Sequence, residues 1–282
     1  MLGYVCKYTP MELFEAMDTE ITRLEPSVTD FNHADTLMHA NICSYTKAVL
    51  EDVMEHDYEG VILTTCCDSI RRLYDTLKSQ FPDKFFFLLD IPRKFNDFAV
   101  ALYERQLKQM LTEYEAFSGK TLDLKRFVSM MQNKAALKKQ ENTRMSASAA
   151  SEKGNGQKLN IGIMGARCNN EIRQLLVDRG ANLLFDLTCT GLARDFSITE
   201  DQVLHSYAAA LLNQIPCMRM LKAANREHFL DGFTDRLDGI IYHTVKFCDS
   251  YSYEYADFRQ RLDLPILLPT GSTVPVIELF LK

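Results

Sequence analysis

The stretch GVILTTCCDSIRRLYDTL, residues 60–77, decides the predicted fold of this 282-residue chain. Residues 61–65 form a run of β-branched and apolar side chains, which is typical of a buried parallel strand. Asp68 and Ser69 are good helix N-caps, and an apolar stripe follows them on one helical face. The stripe consists of Ile70, Leu73, Tyr74 and Leu77. The stretch therefore predicts a strand, a junction and a helix, which together are the repeating unit of an open α/β sheet.

Cysteines occupy the junction between this predicted strand and helix, at positions 66 and 67. In an open α/β sheet, ligands bind in the crevice at the carboxyl ends of the strands. A thiol at a helix N-terminus is also shifted toward the thiolate, the form that binds metal ions. Cys43, in NICSYTKAVLE, residues 41–51, is predicted at a helix start as well. These positions are candidate metal ligands.

The same construction recurs in DGIIYHTVKFCDSYSYEYADFRQRL, residues 238–262. Ile240 to Tyr242 begin a strand, and Cys248-Asp249-Ser250 forms the junction before a tyrosine-rich helix. A single cysteine at such a turn is more often a small buried hydrophobic residue than a ligand. Because the Cys-Asp-Ser junction occurs twice, we expect two similar α/β lobes that present cysteines toward a shared cleft.

Strands and helices alternate along the whole chain, which predicts an α/β fold with parallel sheets. Residues 1–140 are predicted to form an N-terminal α/β lobe with a helical extension. Residues 141–158, rich in Ser, Ala and Gly, are predicted to be a flexible linker, and residues 159–282 a C-terminal lobe. The P-loop-like SGKT, residues 118–121, has Tyr114 where the motif needs a glycine and is predicted to be a turn between helices.

Composition narrows the classes of function. The formal net charge of -6, with no clustered basic face, argues against nucleic acid as the main partner. No apolar run approaches the length of a membrane span, and Lys7 and Pro10 interrupt the region where a signal peptide would be apolar. A cytoplasmic location is expected.

Eight cysteines in such a chain are expected to be thiols, since disulfides are rare in reducing compartments. The chain has no C-x2-C spacing, which counts against a zinc ribbon and a ferredoxin-type run. Any metal site must therefore gather its ligands from distant loops.

Six motifs spread along the chain resemble, in the right order, the 2-hydroxyacyl-CoA dehydratase D-component family. That family also contains benzoyl-CoA reductase subunits and double-cubane-cluster reductases. The motifs are GYVCKYTPMEL, NICSYTKAVLE, CDSIRRLYD, DLTCTG, IPCMRM and HTVKFCDSYSYEYADF.

The resemblance implies two Rossmann-like lobes with a [4Fe–4S] cluster in the cleft, in an oxygen-sensitive protein of anaerobes. The positions that match the three cluster ligands are Cys43, Cys67 and Cys248. The implied activity is that of a lyase working by one-electron radical chemistry on an acyl-CoA. A separate ATP-hydrolysing iron–sulfur activator would supply the electron, and a homologous subunit would complete a homo- or heterodimer.

Two alternatives remain open. Cys189, Cys217, Cys66 and Cys6 are candidate further ligands of a double-cubane [8Fe–9S] cluster in a reductase of small molecules, whereas Cys168 is interpreted as structural. The other alternative is a non-catalytic homologue that carries electrons, which is favoured by a last stretch, residues 264–282, without the expected acidic strand end and closing helix. No residue is assigned as a catalytic base; Glu254, Tyr253 and His243 are only near Cys248 in sequence.

Overall fold

The computed structural model describes residues 1–26, 28, 30–149, 158–167, 170–189, 198–215, 217–220, 224–268 and 277. The chain divides into two compact units, and each is built from separate segments of sequence. The first unit comprises Met1–Met38, Ala48–Asn155 and Arg194–Gln214, and the second comprises His39–Lys47, Gly156–Ala193 and Ile215–Lys282.

Strands and helices alternate through most of the described chain. In chain order the elements are β1 Leu2–Tyr4, α1 Met11–Ala16, β2 Ile21–Arg23, α2 Asn32–Leu37, α3 Ser44–Glu55, β3 Gly60–Thr64, α4 Asp68–Gln80, β4 Phe85–Leu89, α5 Asp97–Ser118, α6 Leu124–Ala149, β5 Asn160–Gly165, α7 Asn170–Asp178, β6 Asn182–Thr188, α8 Val203–Asn213, α9 Ala224–Asp231, β7 Gly239–His243, α10 Asp249–Arg261 and β8 Ile266–Leu267.

The sheet of the first unit has the strand order β2-β1-β3-β4, and all its pairings are parallel. All five residues of β3 are buried, as expected for a central strand covered on both faces. Helix α4 buries Ile70, Leu73 and Leu77 and leaves its polar side chains outside. The junction between β3 and α4 therefore lies at the carboxyl edge of this sheet.

Helix α5 is capped at both ends. The side chain of Asn96 accepts a hydrogen bond from the Ala99 N–H at 2.8 Å and caps the first turn. Gly119 ends the helix in the left-handed conformation, with φ of 72°. Residues 118–121 thus form the turn between α5 and α6, and the prediction of a helix–helix turn is confirmed.

The sheet of the second unit has the order β6-β5-β7-β8 and is also parallel throughout. Side chains alternate between its two faces. Ile240 and Tyr242 pack into one apolar cluster, while Ile241 packs into another with Ile161 and Ile163. Both faces of β7 are therefore covered, which explains its continuous apolar sequence.

The predicted α/β class with two parallel sheets is confirmed. The predicted boundaries differ from the compact units in two places: residues 39–47 belong to the second unit, and residues 194–214 to the first. Helix α8 packs against α5, and its buried Tyr207 hydroxyl donates to the buried Glu12 carboxylate within the first unit. This helix belongs to the first unit because of packing between segments that are distant in sequence.

The predicted linker, residues 141–158, overlaps helix α6. Helix α6 continues through its first part to Ala149, and residues 150–157 lie outside the described residues. Among the described residues, no helix is both long enough and apolar enough to cross a membrane.

Candidate functional site

Two of the predicted ligand cysteines lie on adjoining segments of the second unit. Cys43 directly precedes α3, and the next residue, Ser44, donates its backbone N–H to the carbonyl oxygen of Lys246 at 3.1 Å. Lys246 lies in the turn after β7, two residues before Cys248. The hydrogen bond therefore ties the residue after Cys43 to the loop that carries Cys248.

Cys248, in the predicted junction before the helix, occupies the N-cap position of α10. Its N–H donates to the carbonyl oxygen of Val245 at 3.0 Å, which closes a tight turn. Phe247 within this turn has a φ of 63°, an uncommon conformation for a residue with a large side chain. The chain thus bends sharply at the carboxyl end of β7 before the helix begins.

Cys189 follows β6 and lies at the same carboxyl edge of the second sheet. Its thiol donates a hydrogen bond to the hydroxyl of Tyr251, with 3.0 Å between Sγ and Oη. Tyr251 is in the first turn of α10, three residues after Cys248, and its side chain is fully buried. Cys189 is therefore oriented by the helix that Cys248 caps.

A buried carboxylate supports the same helix turn. Glu254 is 8% exposed and accepts a hydrogen bond from the hydroxyl of Tyr242, which also lies 3.1 Å from the carbonyl oxygen of Tyr251. A buried carboxylate needs donors because it has lost its hydration. Glu254 thus has a structural partner, whereas Tyr253 beside it is 83% exposed.

The end of β5 completes this edge of the sheet. A Cβ on Gly165 would lie only 2.1 Å from the carbonyl oxygen of His243, and Gly165 has a φ of 101°, so glycine is required there. The Arg167 guanidinium stacks 3.9 Å from the ring centre of Tyr45, which is two residues after Cys43. The segment of Cys43 is therefore held by the ends of both β5 and β7.

His243 ends β7 with its Nδ1 atom buried and without a hydrogen-bond partner among the described residues. Burial lowers the pKa of its imidazole, and a backbone contact with Arg167 opposes that shift in part. The neutral imidazole is the favoured form in the folded chain.

The first unit holds a second group of thiols. Strands β1 and β3 are neighbours, with Tyr4 paired to Ile62, so Cys6 and Cys66 both lie just beyond the same sheet edge. The thiol of Cys66 is hydrogen-bonded to Cys6 on one side and to Cys67 on the other. Cys67 is the N-cap residue of α4, one residue before Asp68, the first of the two predicted caps.

Hydrogen bonding between these thiols lowers the pKa of Cys6 and raises the pKa of Cys66. The bond with Cys66 is the main cause that lowers the pKa of Cys6 to about 6; the Tyr8 N–H and the charge of Lys7 add to it, and burial opposes it. The same bond, with that to Cys67 and with burial, raises the pKa of Cys66. Cys66 therefore keeps its proton and donates it toward a Cys6 thiolate.

The structure brings the predicted cysteines together in two sets. Cys43, Cys189 and Cys248 lie on converging segments of the second unit, and Cys6, Cys66 and Cys67 lie at one edge of the first. Cys217 is in a short turn, where its carbonyl oxygen accepts from the Met220 N–H at 3.1 Å. Cys168 lies outside the described residues.

The donor chemistry suits an iron–sulfur cluster, because cysteine thiolates are the ligands of such clusters and the seven described cysteines form no disulfide. Within the described ranges, no group of three or more Cys, His, Asp and Glu side chains is already arranged to hold a metal ion. The predicted ligand set of Cys43, Cys67 and Cys248 draws on both units and stays a prediction.

Sequence reasoning missed the contacts that organise these sets. The link from Cys189 to Tyr251, and the link from Cys6 to Cys66, join residues far apart in the chain. The two cysteines of the second pair occupy equivalent places, since Cys6 and Cys66 each come two residues after the end of a strand.

The sequence matches the family model described as 2-hydroxyglutaryl-CoA dehydratase, D-component, over residues 6–151 and again over residues 128–274. The two matches overlap and together include every cysteine of the chain. No curated protein matches the sequence significantly.

Proposed function

Because the chain belongs to the 2-hydroxyglutaryl-CoA dehydratase D-component family, we propose that it is an iron–sulfur component of a 2-hydroxyacyl-CoA dehydratase-type enzyme. The observation that carries the proposal is the hydrogen bond from Ser44 to Lys246, which ties together the loops of Cys43 and Cys248. Ligands of a shared cluster must come from neighbouring segments, and these two do. Cys67, at the N-cap of α4, is the third ligand in this proposal.

In this proposal the three cysteines bind the cluster, and neighbouring residues hold the segments that carry them. Cys67 and Cys248 are at N-cap positions, and Cys43 directly precedes a helix, so each thiolate is favoured by the partial positive charge of a helix N-terminus. A bound [4Fe–4S] cluster would supply one-electron transfer to the thioester of an acyl-CoA. Tyr251 and the tight turn before Cys248 hold the surrounding segments in place.

The proposal includes partners. A separate ATP-hydrolysing iron–sulfur activator supplies the electron, and a homologous subunit pairs with this chain in the cytoplasm. Both follow from family membership and not from a contact seen in the structure.

A second candidate is a reductase with a double-cubane [8Fe–9S] cluster. The observation that favours it is the thiol contact of Cys66 with Cys6 and Cys67, which puts additional sulfur atoms next to a proposed ligand. Cys189 and Cys217 are its further candidate ligands.

Anaerobic purification with iron and sulfide analysis and EPR spectroscopy tests both candidates. The dehydratase-type proposal expects about four iron atoms per chain and the double-cubane proposal about eight. A protein that holds no iron after anaerobic reconstitution would overturn both.

A further inference from the structure

Thr46, in the first turn of α3, has a buried hydroxyl group without a hydrogen bond. Its side chain is 0% exposed, and its Oγ1 atom has no partner among the residues that the structure describes. A buried hydroxyl in this state has lost its hydrogen bonds to water and gained none in return, which destabilises the fold. Such groups are uncommon in folded proteins, and each needs an explanation.

Threonines elsewhere in the described helices do have hydrogen bonds. Thr36, Thr76 and Thr112 each donate to the carbonyl oxygen four residues earlier, at 3.0 Å in every case. For Thr46 the residue four positions earlier is Ile42, which lies outside α3, so the regular helix does not bring that carbonyl oxygen to the hydroxyl. Thr46 therefore lacks the ordinary bond of a helix threonine, although it is more deeply buried than the other three.

The position of Thr46 in the helix puts its side chain on the same side as that of Cys43. The carbonyl oxygen of Cys43 accepts a hydrogen bond from the Lys47 N–H at 3.2 Å, which is the first bond of the helix. Cys43 is therefore the N-cap residue of α3, and Thr46 is the third residue after it. Side chains at these two positions meet at the start of a helix, as in a capping box. The sulfur of the buried Cys43 is the expected partner of the Thr46 hydroxyl.

The strength of a hydrogen bond to this sulfur depends on its charge. A protonated thiol is only a weak acceptor, so it offers the Thr46 hydroxyl little stabilisation. A thiolate is negatively charged, and a hydroxyl donates to it in a charge-assisted bond about twice as strong as a neutral one. The hydroxyl of Thr46 is thus a donor suited to the thiolate form of Cys43, which is the form that binds iron.

We propose that the Thr46 hydroxyl donates a hydrogen bond to the Cys43 thiolate of the cluster-bound protein and thereby raises the reduction potential of the cluster. This inference rests on the proposed function for the presence of an iron–sulfur cluster bound through Cys43. Hydrogen bonds to the sulfur atoms are among the factors that determine the potential of such clusters. When the cluster accepts one electron from an external donor, the negative charge on its sulfur ligands increases. The hydrogen bond becomes stronger, so the hydroxyl stabilises the reduced state more than the oxidised state.

A redox titration of the full chain, purified anaerobically and followed by EPR, tests this role. Thr46→Val keeps the branched shape of the side chain and removes the donor. At a fixed solution potential, the ratio of reduced to oxidised cluster in this variant should be about tenfold lower than in the wild type, since a hydrogen bond to a charged group contributes that much. Thr46→Ser keeps a hydroxyl and should remain within about twofold of the wild type.

Thr76→Val is the matched control. It makes the same chemical change in α4, the helix that begins after Cys67, and the Thr76 hydroxyl already donates to the Arg72 carbonyl oxygen at 3.0 Å. Its ratio of reduced to oxidised cluster should also remain within about twofold of the wild type. Iron and sulfide are measured on the same samples and should be equal in all four proteins.

Each result supports or overturns the inference. An unchanged ratio in Thr46→Val, with iron present, overturns the inference alone and would assign a buried water molecule to the hydroxyl. A similar fall in Thr76→Val also overturns it, because the effect would then not be specific to the segment of Cys43. Loss of iron from Thr46→Val would make the hydroxyl a requirement for binding the cluster and not a determinant of its potential, which again overturns it. A wild-type chain without iron overturns the proposed function and this inference together.

Discussion

The backbone N–H of Ser44 donates to the carbonyl oxygen of Lys246 across 3.1 Å. The two residues are about two hundred positions apart in sequence, yet they flank Cys43 and Cys248, the first and last of the proposed ligands. The loop after β7 and the start of α3 are thus one local structure in the second unit. Any group held by one of these cysteines is also near the segment of the other.

Cys43→Ala and Cys248→Ala are therefore expected to lose most of the iron bound by the wild-type chain. Removing one of three thiolates leaves a cluster with too few protein ligands, and no other thiol follows β7 before α10. Iron and sulfide are measured after anaerobic purification. Cys168→Ala, at a cysteine interpreted as structural, is the control and should keep its iron; full retention by Cys248→Ala would exclude that ligand.

Cys66→Ser separates the two kinds of cluster. Adjacent residues after a strand normally point in different directions, so only Cys67 is expected to serve a single cubane. The Cys66 thiol is hydrogen-bonded to Cys67. A serine at position 66 can still donate that hydrogen bond but cannot replace sulfur as an iron ligand, so the variant tests iron binding alone. Unchanged iron supports the [4Fe–4S] proposal, whereas loss of about half the iron supports the larger cluster.

The parts of the fold that sequence predicted are those encoded locally. Strand β3 carries a continuous apolar run and is observed within one residue of the predicted 61–65, and helix α4 carries the predicted apolar stripe. Strand β2 was missed. Its three residues, Ile21–Arg23, are only partly buried and are a strand because they pair with β1, which no local pattern reveals.

The candidate site likewise has features that local sequence predicts and features that depend on tertiary structure. Placement of Cys43, Cys67 and Cys248 at helix starts follows from neighbouring residues, and the structure confirms it. The contact of Cys189 with Tyr251 depends on the β6-β5-β7 strand order, which the sequence does not state. The first part of the predicted linker lies in helix α6: Ala, Met and Arg in residues 141–149 favour helix, although the Ser-rich composition resembles a linker.

Tyr242→Phe is expected to destabilise the second unit by about 1–3 kcal/mol, because it removes a donor from the buried Glu254 carboxylate. Tyr253→Phe is the matched control on the neighbouring helix. Its ring is 83% exposed, so the same chemical change should have an effect within about 0.5 kcal/mol. Urea unfolding of the two variants measures the difference, and equal midpoints would show that Glu254 does not depend on Tyr242.

His243 gives a pH dependence of stability with a definite sign. Its pKa in the folded chain is lowered from the ordinary 6.5 by burial. Below about pH 6.5 the unfolded chain takes up a proton that the folded chain does not, so stability falls as the pH falls. His243→Gln should flatten this part of the curve of unfolding free energy against pH, whereas His228→Gln, at an exposed position in the same unit, should not. A wild-type slope that persists in His243→Gln would assign the effect to other groups.

The proposed chemistry also predicts how electrons reach the protein. Reduction of a thioester requires a potential near the lower limit of protein-bound clusters, about -700 mV. The P-loop-like residues 118–121 form a turn, in which the Lys120 ammonium donates to the Asp18 carbonyl oxygen at 2.9 Å and to the Thr19 hydroxyl at 2.9 Å. Since that lysine is hydrogen-bonded within the protein, the chain itself is not expected to couple ATP hydrolysis to reduction.

Turnover of a 2-hydroxyacyl-CoA is therefore expected only when an ATPase activator, ATP and Mg²⁺ are all present. Omitting any one of them should reduce the rate to background, because ordinary reductants lack the driving force for the thioester. Single-turnover assays with and without ATP, followed by EPR, measure this. Sustained turnover with a mild electron donor and no ATP would contradict the mechanism. Reversible reduction of a cluster without turnover, even with the activator, would instead favour the non-catalytic electron carrier.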